Sequence, residues 1–126
     1  MQTKILLSIK PRFADQIFAG IKRYEFRRVL FRSKSVRKVI VYASSPVQRV
    51  IGEFDVDSVL ALDVERLWEK TKLHSGIEKS YFDEYFEGRY MAYAIKIAFP
   101  RRYRTPKQLE HVCNSKRPPQ SFQYLR

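Results

Sequence analysis

The segment "RKVIVYAS" (37–44) constrains the fold more than any other stretch of the chain, because it is apolar on both faces. A strand of this kind lies in the interior of a sheet and not at its edge. The turn signal "SSP" follows it, and "VQRVIGEFDVDSV" (47–59) then alternates apolar and polar residues. Such alternation is typical of a strand with one buried face. The two segments therefore predict neighbouring strands joined by a short turn.

Further strands and helices are predicted on both sides of this pair. The other strand segments are "TKILLSI" (3–9), "KRYEFRR" (22–28) and "YMAYAIKIAF" (90–99), which "RRYR" extends before Pro106. The helical segments are "PRFADQIFAG" (11–20), "VERLWEKTKLH" (64–74, capped by Asp63), "EKSYFDEYFEG" (78–88, ending at Gly88) and "PKQLEHV" (106–112). An irregular tail, "NSKRPPQSFQYLR" (114–126), is expected to follow. Most neighbouring strands can pair antiparallel, so we expect an α+β fold, one domain over residues 1–126, with a small curled sheet or barrel and helices outside.

The net charge of +12 is spread unevenly along the chain. Residues 53–87 hold ten of the thirteen acidic residues and four basic ones, a balance of −6, so the rest of the chain carries +18. Such asymmetry indicates a polyanionic partner, most often nucleic acid or a nucleotide. The alternative is that the excess of Lys and Arg only keeps a small protein soluble.

Several classes of function lack their signatures. The four glycines are isolated, so there is no glycine-rich phosphate loop. His111 and Cys113 lie close together, but His74 is the only other strong nitrogen or sulfur ligand, so we expect no metal and no cofactor. The single cysteine is interpreted as a packing residue. The apolar runs are far below the ~20 residues that span a bilayer, and the N-terminal stretch is too short for a signal peptide. We therefore expect no membrane partner and a cytoplasmic location.

The segment "KRYEFRR" holds the strongest candidate residues. Strand alternation places Tyr24 and Phe26 on one face, which is predicted to be buried, and Arg23, Glu25 and Arg27 on the other, which is predicted to point outward.

Other polar residues are expected at the same rim of the sheet as Glu25. Lys10 ends the first strand, Lys22 lies at the helix-to-strand turn, and Ser44 and Ser45 end the central strand. In the alternative interpretation, Glu25 only balances a neighbouring cation in an exposed ion pair, which contributes ~0–1 kcal/mol.

A longer stretch around this segment, "IKPRFADQIFAGIKRYEFRR", resembles the signature of the ASCH family within the PUA-like superfamily. That signature is a Lys-Pro after the first strand, a helix, and then Gly-x-Lys-x-x-Glu-x-Arg. Its positions here are Lys10, Pro11, Gly20, Lys22, Glu25 and Arg27. The later blocks "VIVYASSPVQRVIGEF", "YAIKI" and "PPQSFQYL" are similar to a group of the family described as predicted transcriptional regulators. The resemblance implies a small mixed or antiparallel PUA-like β-barrel with flanking helices, and a cleft beside the signature that binds RNA or a nucleotide-like ligand.

The first functional hypothesis is a binding module for RNA or a nucleotide-like ligand. The proposed contacts are Lys10, Lys22, Arg27 and Arg28 to phosphate, Glu25 to a base or to a neighbouring cation, and Ser44, Ser45, Gln120, Ser121 and Phe122 as further binding residues. Tyr42 or Phe122 could stack on a base, although core packing is the alternative for both rings. Duplex DNA is a minor option, because the basic residues do not follow one recognition helix.

The second hypothesis is a small, metal-independent hydrolase that acts on a modified nucleoside or on RNA. One branch of the family deacylates N4-acylcytidine, and Lys22 matches the lysine of that branch. Glu25 stands where that branch has a threonine nucleophile, which argues against this deacylation. If the protein is an enzyme, Lys22 and Glu25 are the candidate catalytic residues, with Glu25 as general base, and Ser44 or Ser45 could supply a hydroxyl.

Overall fold

The structure is a computed structural model that describes residues 3–125, and this part of the chain forms six strands and three α-helices. The strands are β1 (Thr3–Ile9), β2 (Tyr24–Arg27), β3 (Val36–Ala43), β4 (Arg49–Asp63), β5 (Met91–Lys107) and β6 (Phe122–Leu125). The helices are α1 (Pro11–Phe18), α2 (Val64–Thr71) and α3 (Lys79–Tyr85). Met1, Gln2 and Arg126, the ends of the predicted domain 1–126, lie outside the described residues.

The strand that is apolar on both faces lies in the interior of the sheet, as its sequence predicts. The strand order is β2-β5-β4-β3-β1-β6, so β3 has a neighbour on each side. It pairs parallel with β1 and antiparallel with β4, and the remaining pairs are antiparallel. The predicted α+β fold with a curled, mostly antiparallel sheet and outer helices is confirmed.

The curl of the sheet brings its two edge strands close together at one end. Three shifts of register interrupt the long antiparallel pairing of β4 with β5, and such bulges increase the local bend and twist. At the closing end, Arg27 of β2 donates from Nη2 to the backbone carbonyl of Ser121, just before β6, at 2.8 Å. Among the described strands, β2 and β6 share no backbone hydrogen bonds of a sheet, so a side-chain contact links these two edge strands.

Local sequence signals explain where the helices begin and end. Pro11 occupies the first turn of α1, and Gly20 follows the helix with a φ of +79°, the left-handed conformation that glycine adopts readily. The Asp63 carboxylate accepts a hydrogen bond of 2.9 Å from the backbone N–H of Arg66 and so caps α2. A short 3-10 turn, Lys72–His74, carries the chain from α2 towards α3.

Helices α2 and α3 cover the outer face of β2 and β5. Phe82 of α3 is fully buried there, and its ring centroid lies 5.3 Å from that of Phe26, 4.9 Å from that of Phe86 and 5.0 Å from that of Trp68. Burying one such ring stabilises the fold by about 1.5–3 kcal/mol. This packing holds α3 against β2, which is the arrangement that the functional site requires.

The C-terminal third differs from its prediction. β5 does not end before Pro106 but continues to Lys107, and the predicted helix over 106–112 is reduced to the 3-10 turn Leu109–His111. Strand β2 pairs only with residues 93–96 of β5, so the C-terminal half of β5 has β4 as its one neighbour among the described strands. Pro106 therefore lies at an edge of the sheet, where the missing N–H of proline is tolerated.

The tail predicted to be irregular (114–126) contains β6, which pairs antiparallel with β1. Cys113 is buried in a cluster with Leu6 and Leu109, which confirms its interpretation as a packing residue. Within residues 3–125, no helix is long and apolar enough to cross a membrane.

Candidate functional site

A cavity of about 270 Å³ lies between the end of β1, helix α1, strand β2 and helix α3. Its walls carry four basic side chains, four aromatic rings and one carboxylate. The lining residues are Ser8, Ile9, Lys10, Phe13, Lys22, Glu25, Phe26, Arg27, Arg28, Ile77, Tyr81, Tyr85 and Gln120. Six of the ten predicted binding residues are therefore in this wall: Lys10, Lys22, Glu25, Arg27, Arg28 and Gln120.

Lys22 is buried in the wall of this cavity, with 2% of its surface exposed. Its Nζ donates to the backbone carbonyl of Ser75 at 2.7 Å, and it lies 5.1 Å from the ring centroid of Phe13 and 4.8 Å from that of Phe26. Burial lowers the pKa of Lys22 to about 8, although the nearby Glu25 carboxylate opposes the shift. The amine can therefore gain or lose a proton close to neutral pH.

Two backbone features place Lys22 in this position. Its N–H donates to the carbonyl of Gln16 at 3.1 Å, so the turn after α1 holds the residue against the end of the helix. On the other side, the loop that carries Ser75 approaches through Gly76, which has a φ of +71°. A Cβ atom at Gly76 would lie 2.8 Å from Cβ of Lys22, closer than side chains tolerate. Glycine at this position thus allows the loop to close over the lysine.

Glu25 is also buried, with 6% of its surface exposed, which corrects the prediction that its face of β2 points outward. Strand alternation predicts which side chains share a face, but not what lies opposite that face. Here the Glu25 face looks into the cavity, and Arg27 Nη1 donates to Oε2 of Glu25 at 3.3 Å. Burial raises the pKa of Glu25, while the charges of Lys22 and Arg27 oppose that shift. The ion pair is a buried one rather than the exposed pair of the alternative interpretation.

Helix α3 contributes two tyrosines that the sequence interpretation missed. Tyr81 and Tyr85 are four residues apart and so lie on the same face of the helix, and both line the cavity. Lys10 Nζ lies 3.4 Å from the hydroxyl of Tyr81. Arg28 lies 4.4 Å over the ring of Tyr85 and donates to its backbone carbonyl at 2.7 Å. The spacing of the tyrosines in "SYFDEYF" could have signalled this pair, but nothing local connects it with the distant signature.

The hydroxyl of Tyr85 donates to the backbone carbonyl of Phe26 at 3.2 Å. Burial raises the pKa of Tyr85, against the opposing charge of Arg27, and the Glu25 carboxylate raises it further. This phenol therefore stays protonated across the physiological range and acts as a fixed part of the wall.

The remaining predicted residues lie outside the cavity wall. Ser121 supports it from behind, since its carbonyl and Oγ accept from Nη2 of Arg27 at 2.8 and 3.1 Å. Ser44 and Ser45 follow β3, and the backbone N–H of Ser44 donates to Ile9, so these serines meet the end of β1 without lining the cavity.

Of the two rings that the sequence offers for base stacking, Tyr42 lies in the core and Phe122 is half-buried against it. Tyr42 is 5% exposed in the cluster around Leu6, and Phe122 packs edge-on against Phe31, with 6.1 Å between ring centroids. The structure thus places Tyr81 and Tyr85, rather than these rings, at the cavity.

The family model of the ASCH domain matches residues 7–101 of the chain. The chain belongs to the ASCH domain family. An ASCH domain-containing ribonuclease from Zymomonas mobilis is 30% identical over 123 residues, which cover 96% of this chain and 83% of that protein. The crystal structure of the ASCH protein from Zymomonas mobilis superposes with a TM-score of 0.86 at 30% identity, over 98% of this chain and 87% of that one. A serine-to-alanine mutant of that protein gives a TM-score of 0.88 at 29% identity, over 98% and 88%. The predicted family and PUA-like fold are confirmed.

Two longer proteins of Ureaplasma parvum serovar 3 contain a segment similar to this ASCH chain. The large ribosomal subunit protein uL22 is 33% identical over 122 residues, and the ATP synthase subunit alpha is 36% identical over 124 residues. Each match covers 97% of this chain but only 39% and 15% of the respective relative. The chain thus spans less than half the length of these relatives.

The residues of the ASCH signature serve two purposes in this structure. Pro11 and Gly20 shape the helix and the turn after it, whereas Lys10, Lys22 and Glu25, together with Arg27, line the cavity. Among the described residues, no group of three or more His, Cys, Asp or Glu side chains could hold a metal ion. The chemistry that this site offers is cationic and aromatic binding, with a buried acid and a buried base whose pKa values are shifted.

Proposed function

We propose that this ASCH protein binds single-stranded RNA and holds one nucleotide of it in the cavity. The observation that carries the proposal is the burial of both Lys22 and Glu25 in the wall of a basic, tyrosine-lined cavity. Burying charged groups costs free energy, and groups with perturbed pKa values in a cleft cluster at functional sites.

Each part of a nucleotide has a matching group in the cavity. Lys10 and Arg28 are exposed at its mouth, where a phosphate would keep part of its hydration, and arginine binds phosphate through a bidentate fork. Tyr81 and Tyr85 line the cavity with aromatic rings, the groups on which bases stack, and Arg28 would move from the ring of Tyr85 to the phosphate. The Glu25 carboxylate can accept a hydrogen bond from an exocyclic amino group. A volume of about 270 Å³ lies near the lower end of small-ligand cavities, which suits a single nucleotide.

Two further observations support RNA as the ligand. The relative from Zymomonas mobilis is named a ribonuclease and is 30% identical to this chain over 123 residues. The net charge of +12 favours a polyanion over a neutral small molecule.

Fluorescence anisotropy with labelled single-stranded RNA tests the proposal. We expect Lys22→Met, and separately the exposed pair Lys10→Ala and Arg28→Ala, to weaken binding by about tenfold or more. The matched control is Lys70→Ala with Arg89→Ala, which removes the same charge from exposed positions outside the cavity wall. Wild-type affinity should fall roughly 50-fold between about 50 and about 200 mM salt. Equal losses in the control pair, or affinity that does not depend on salt, would contradict the proposal.

A second candidate function, metal-independent cleavage of RNA, is favoured by the opposite pKa shifts of Lys22 and Glu25. Glu25 in its carboxylate form would take the proton of a ribose 2′-hydroxyl, and the 2′-oxygen would attack the adjacent phosphorus. The bond from phosphorus to the 5′-oxygen would break, and the Lys22 ammonium would protonate the leaving oxygen. The products would be a 2′,3′-cyclic phosphate and a 5′-hydroxyl.

Incubation of short RNAs with the protein, followed by mass spectrometry, separates binding from cleavage. Glu25→Gln keeps the shape of the side chain but removes the base, so it should abolish turnover while RNA binding persists. N4-acetylcytidine belongs in the same panel, since it tests the deacylation that a family branch performs. If wild-type protein leaves every substrate intact, this cavity binds RNA without cleaving it.

A further inference from the structure

A second cleft, of about 440 Å³, lies on the other side of Lys22. It is lined by Ile17, Gly20, Lys22, Arg23, Tyr24, His74, Lys96, Ile97 and Pro100. Lys22 belongs to both sites, so the stem of one buried side chain separates the first cavity from this second cleft. None of the described residues that line the second cleft carries a carboxylate.

The basic side chains of the second cleft project from a rigid frame. The backbone N–H of Arg23 donates to the carbonyl of His74 at 2.9 Å, and the carbonyl of Arg23 accepts from Ile97 at 2.9 Å. These bonds fix three separate segments side by side while the side chains of Arg23, His74 and Lys96 stay exposed. The backbone therefore fixes where each of these side chains begins, while their exposed ends remain free to move towards an anion.

The charge of Lys96 is available to a ligand. Its Nζ lies 3.8 Å from Oδ2 of Asp57, and the two side chains are 49% and 50% exposed. An ion pair that long and that exposed contributes little free energy. A phosphate with several oxygens can therefore displace or share this contact at small cost.

We propose that the second cleft binds the phosphodiester backbone of the RNA strand that leaves the first cavity. This inference rests on the proposed function, because it extends the same RNA beyond the nucleotide in the cavity. Arg23 would bind a phosphate through its guanidinium fork, Lys96 would add a positive charge, and the His74 ring would supply a hydrogen-bond donor from the neighbouring segment. The apolar floor of Ile17, Ile97 and Pro100 offers no polar group for reading bases, so this contact is independent of sequence.

The proposal predicts a dependence on RNA length that the first cavity alone does not produce. The test compares binding of adenosine and cytidine 5′-monophosphates with binding of a labelled single-stranded RNA of about 12 nucleotides. The double variant Arg23→Ala with Lys96→Ala should weaken binding of the longer RNA by about tenfold or more, and the slope of log affinity against log salt should become shallower by about 1.4. Its affinity for the mononucleotides should stay within about twofold of wild type, because they need only the first cavity.

The same charge-matched pair, Lys70→Ala with Arg89→Ala, is the control, and thermal unfolding checks that each variant is folded. If the Arg23 and Lys96 variant binds the longer RNA with wild-type affinity and salt slope, while Lys22→Met still loses it, the second cleft is refuted and the first cavity stands. If the wild-type protein binds none of these probes, both proposals are overturned.

Discussion

At the scale of the residue, Lys22 places an amine at the site whose charged form is disfavoured by burial. The unfolded chain leaves its amine in water with a pKa of 10.5, whereas burial in the folded protein lowers that pKa to about 8. Between these two values the unfolded chain binds the proton more tightly than the folded one does. The free energy of unfolding therefore rises with pH across this window, and below about pH 8 the charged lysine destabilises the fold.

Urea unfolding of wild type and Lys22→Met at a series of pH values measures this effect. The free energy of unfolding of wild type minus that of the variant should rise by roughly 3 kcal/mol between pH 8 and pH 10.5. Groups remote from Lys22 titrate equally in both proteins and cancel in the difference, whereas Glu25, whose pKa is coupled to Lys22, does not. A difference that stays flat across this range would show that the amine of Lys22 is not buried as described.

At the scale of the element, the sequence predicts a strand where the segment itself shows an apolar run or an alternation of apolar and polar residues. β3 follows from a run that is apolar on both faces, β4 from alternation, and the Asp63 cap of α2 from a residue next to the helix. The continuation of β5 past Pro106 and the strand β6 do not follow from local patterns. Both depend on pairing with a distant strand, β4 for β5 and β1 for β6. The candidate site divides in the same way.

The basic residues and the carboxylate of the site were predicted because they share one short signature. The sequence does not predict Tyr81 and Tyr85 at the site, because they lie on a helix more than fifty residues beyond the signature. The burial of Glu25 was missed because alternation does not reveal what covers a face of a strand.

Three strands are also joined across the sheet by the carboxylate of Glu53 on β4. It pairs with Lys38 of β3 at 3.1 Å and with Arg101 of β5 at 2.6 Å, and it accepts from the hydroxyl of Tyr103 at 2.9 Å. Burial alone would raise the pKa of Glu53, but the hydrogen bonds from Arg101, Lys38 and Tyr103 outweigh it and hold the pKa at about 2.

A carboxyl group with a lowered pKa stabilises the fold above its unfolded pKa of 4.5, and this stability is lost as the pH falls towards about 2. Glu53→Gln should therefore reduce the free energy of unfolding at pH 7 by about 1–2 kcal/mol, allowing for screening by solvent. In acid unfolding followed by circular dichroism, the gap between the two proteins should narrow below pH 4.5. A gap independent of pH would mean that shape rather than charge holds the three strands together.

At the scale of the whole molecule, the sheet brings the cationic residues of the signature to one end of the fold, where helix α3 packs against β2 and lines the same cavity. The acidic segment 53–87 does more than lower the net charge to +12. It includes α3, whose two tyrosines line the same cavity as Lys22 and Glu25. A cavity lined by both cationic and aromatic side chains is what the binding of single-stranded nucleic acid requires. The central claim is that one nucleotide of an RNA strand lies in this cavity.

Photo-crosslinking tests that claim most directly. A single-stranded RNA of about 12 nucleotides that contains 4-thiouridine is bound, irradiated and digested, and the crosslinked peptides are identified by mass spectrometry. We predict adducts on Tyr81, Tyr85 or Phe13, which excess unlabelled RNA removes and Lys22→Met suppresses. Adducts confined to peptides away from the cavity, or unchanged in Lys22→Met, would contradict the account.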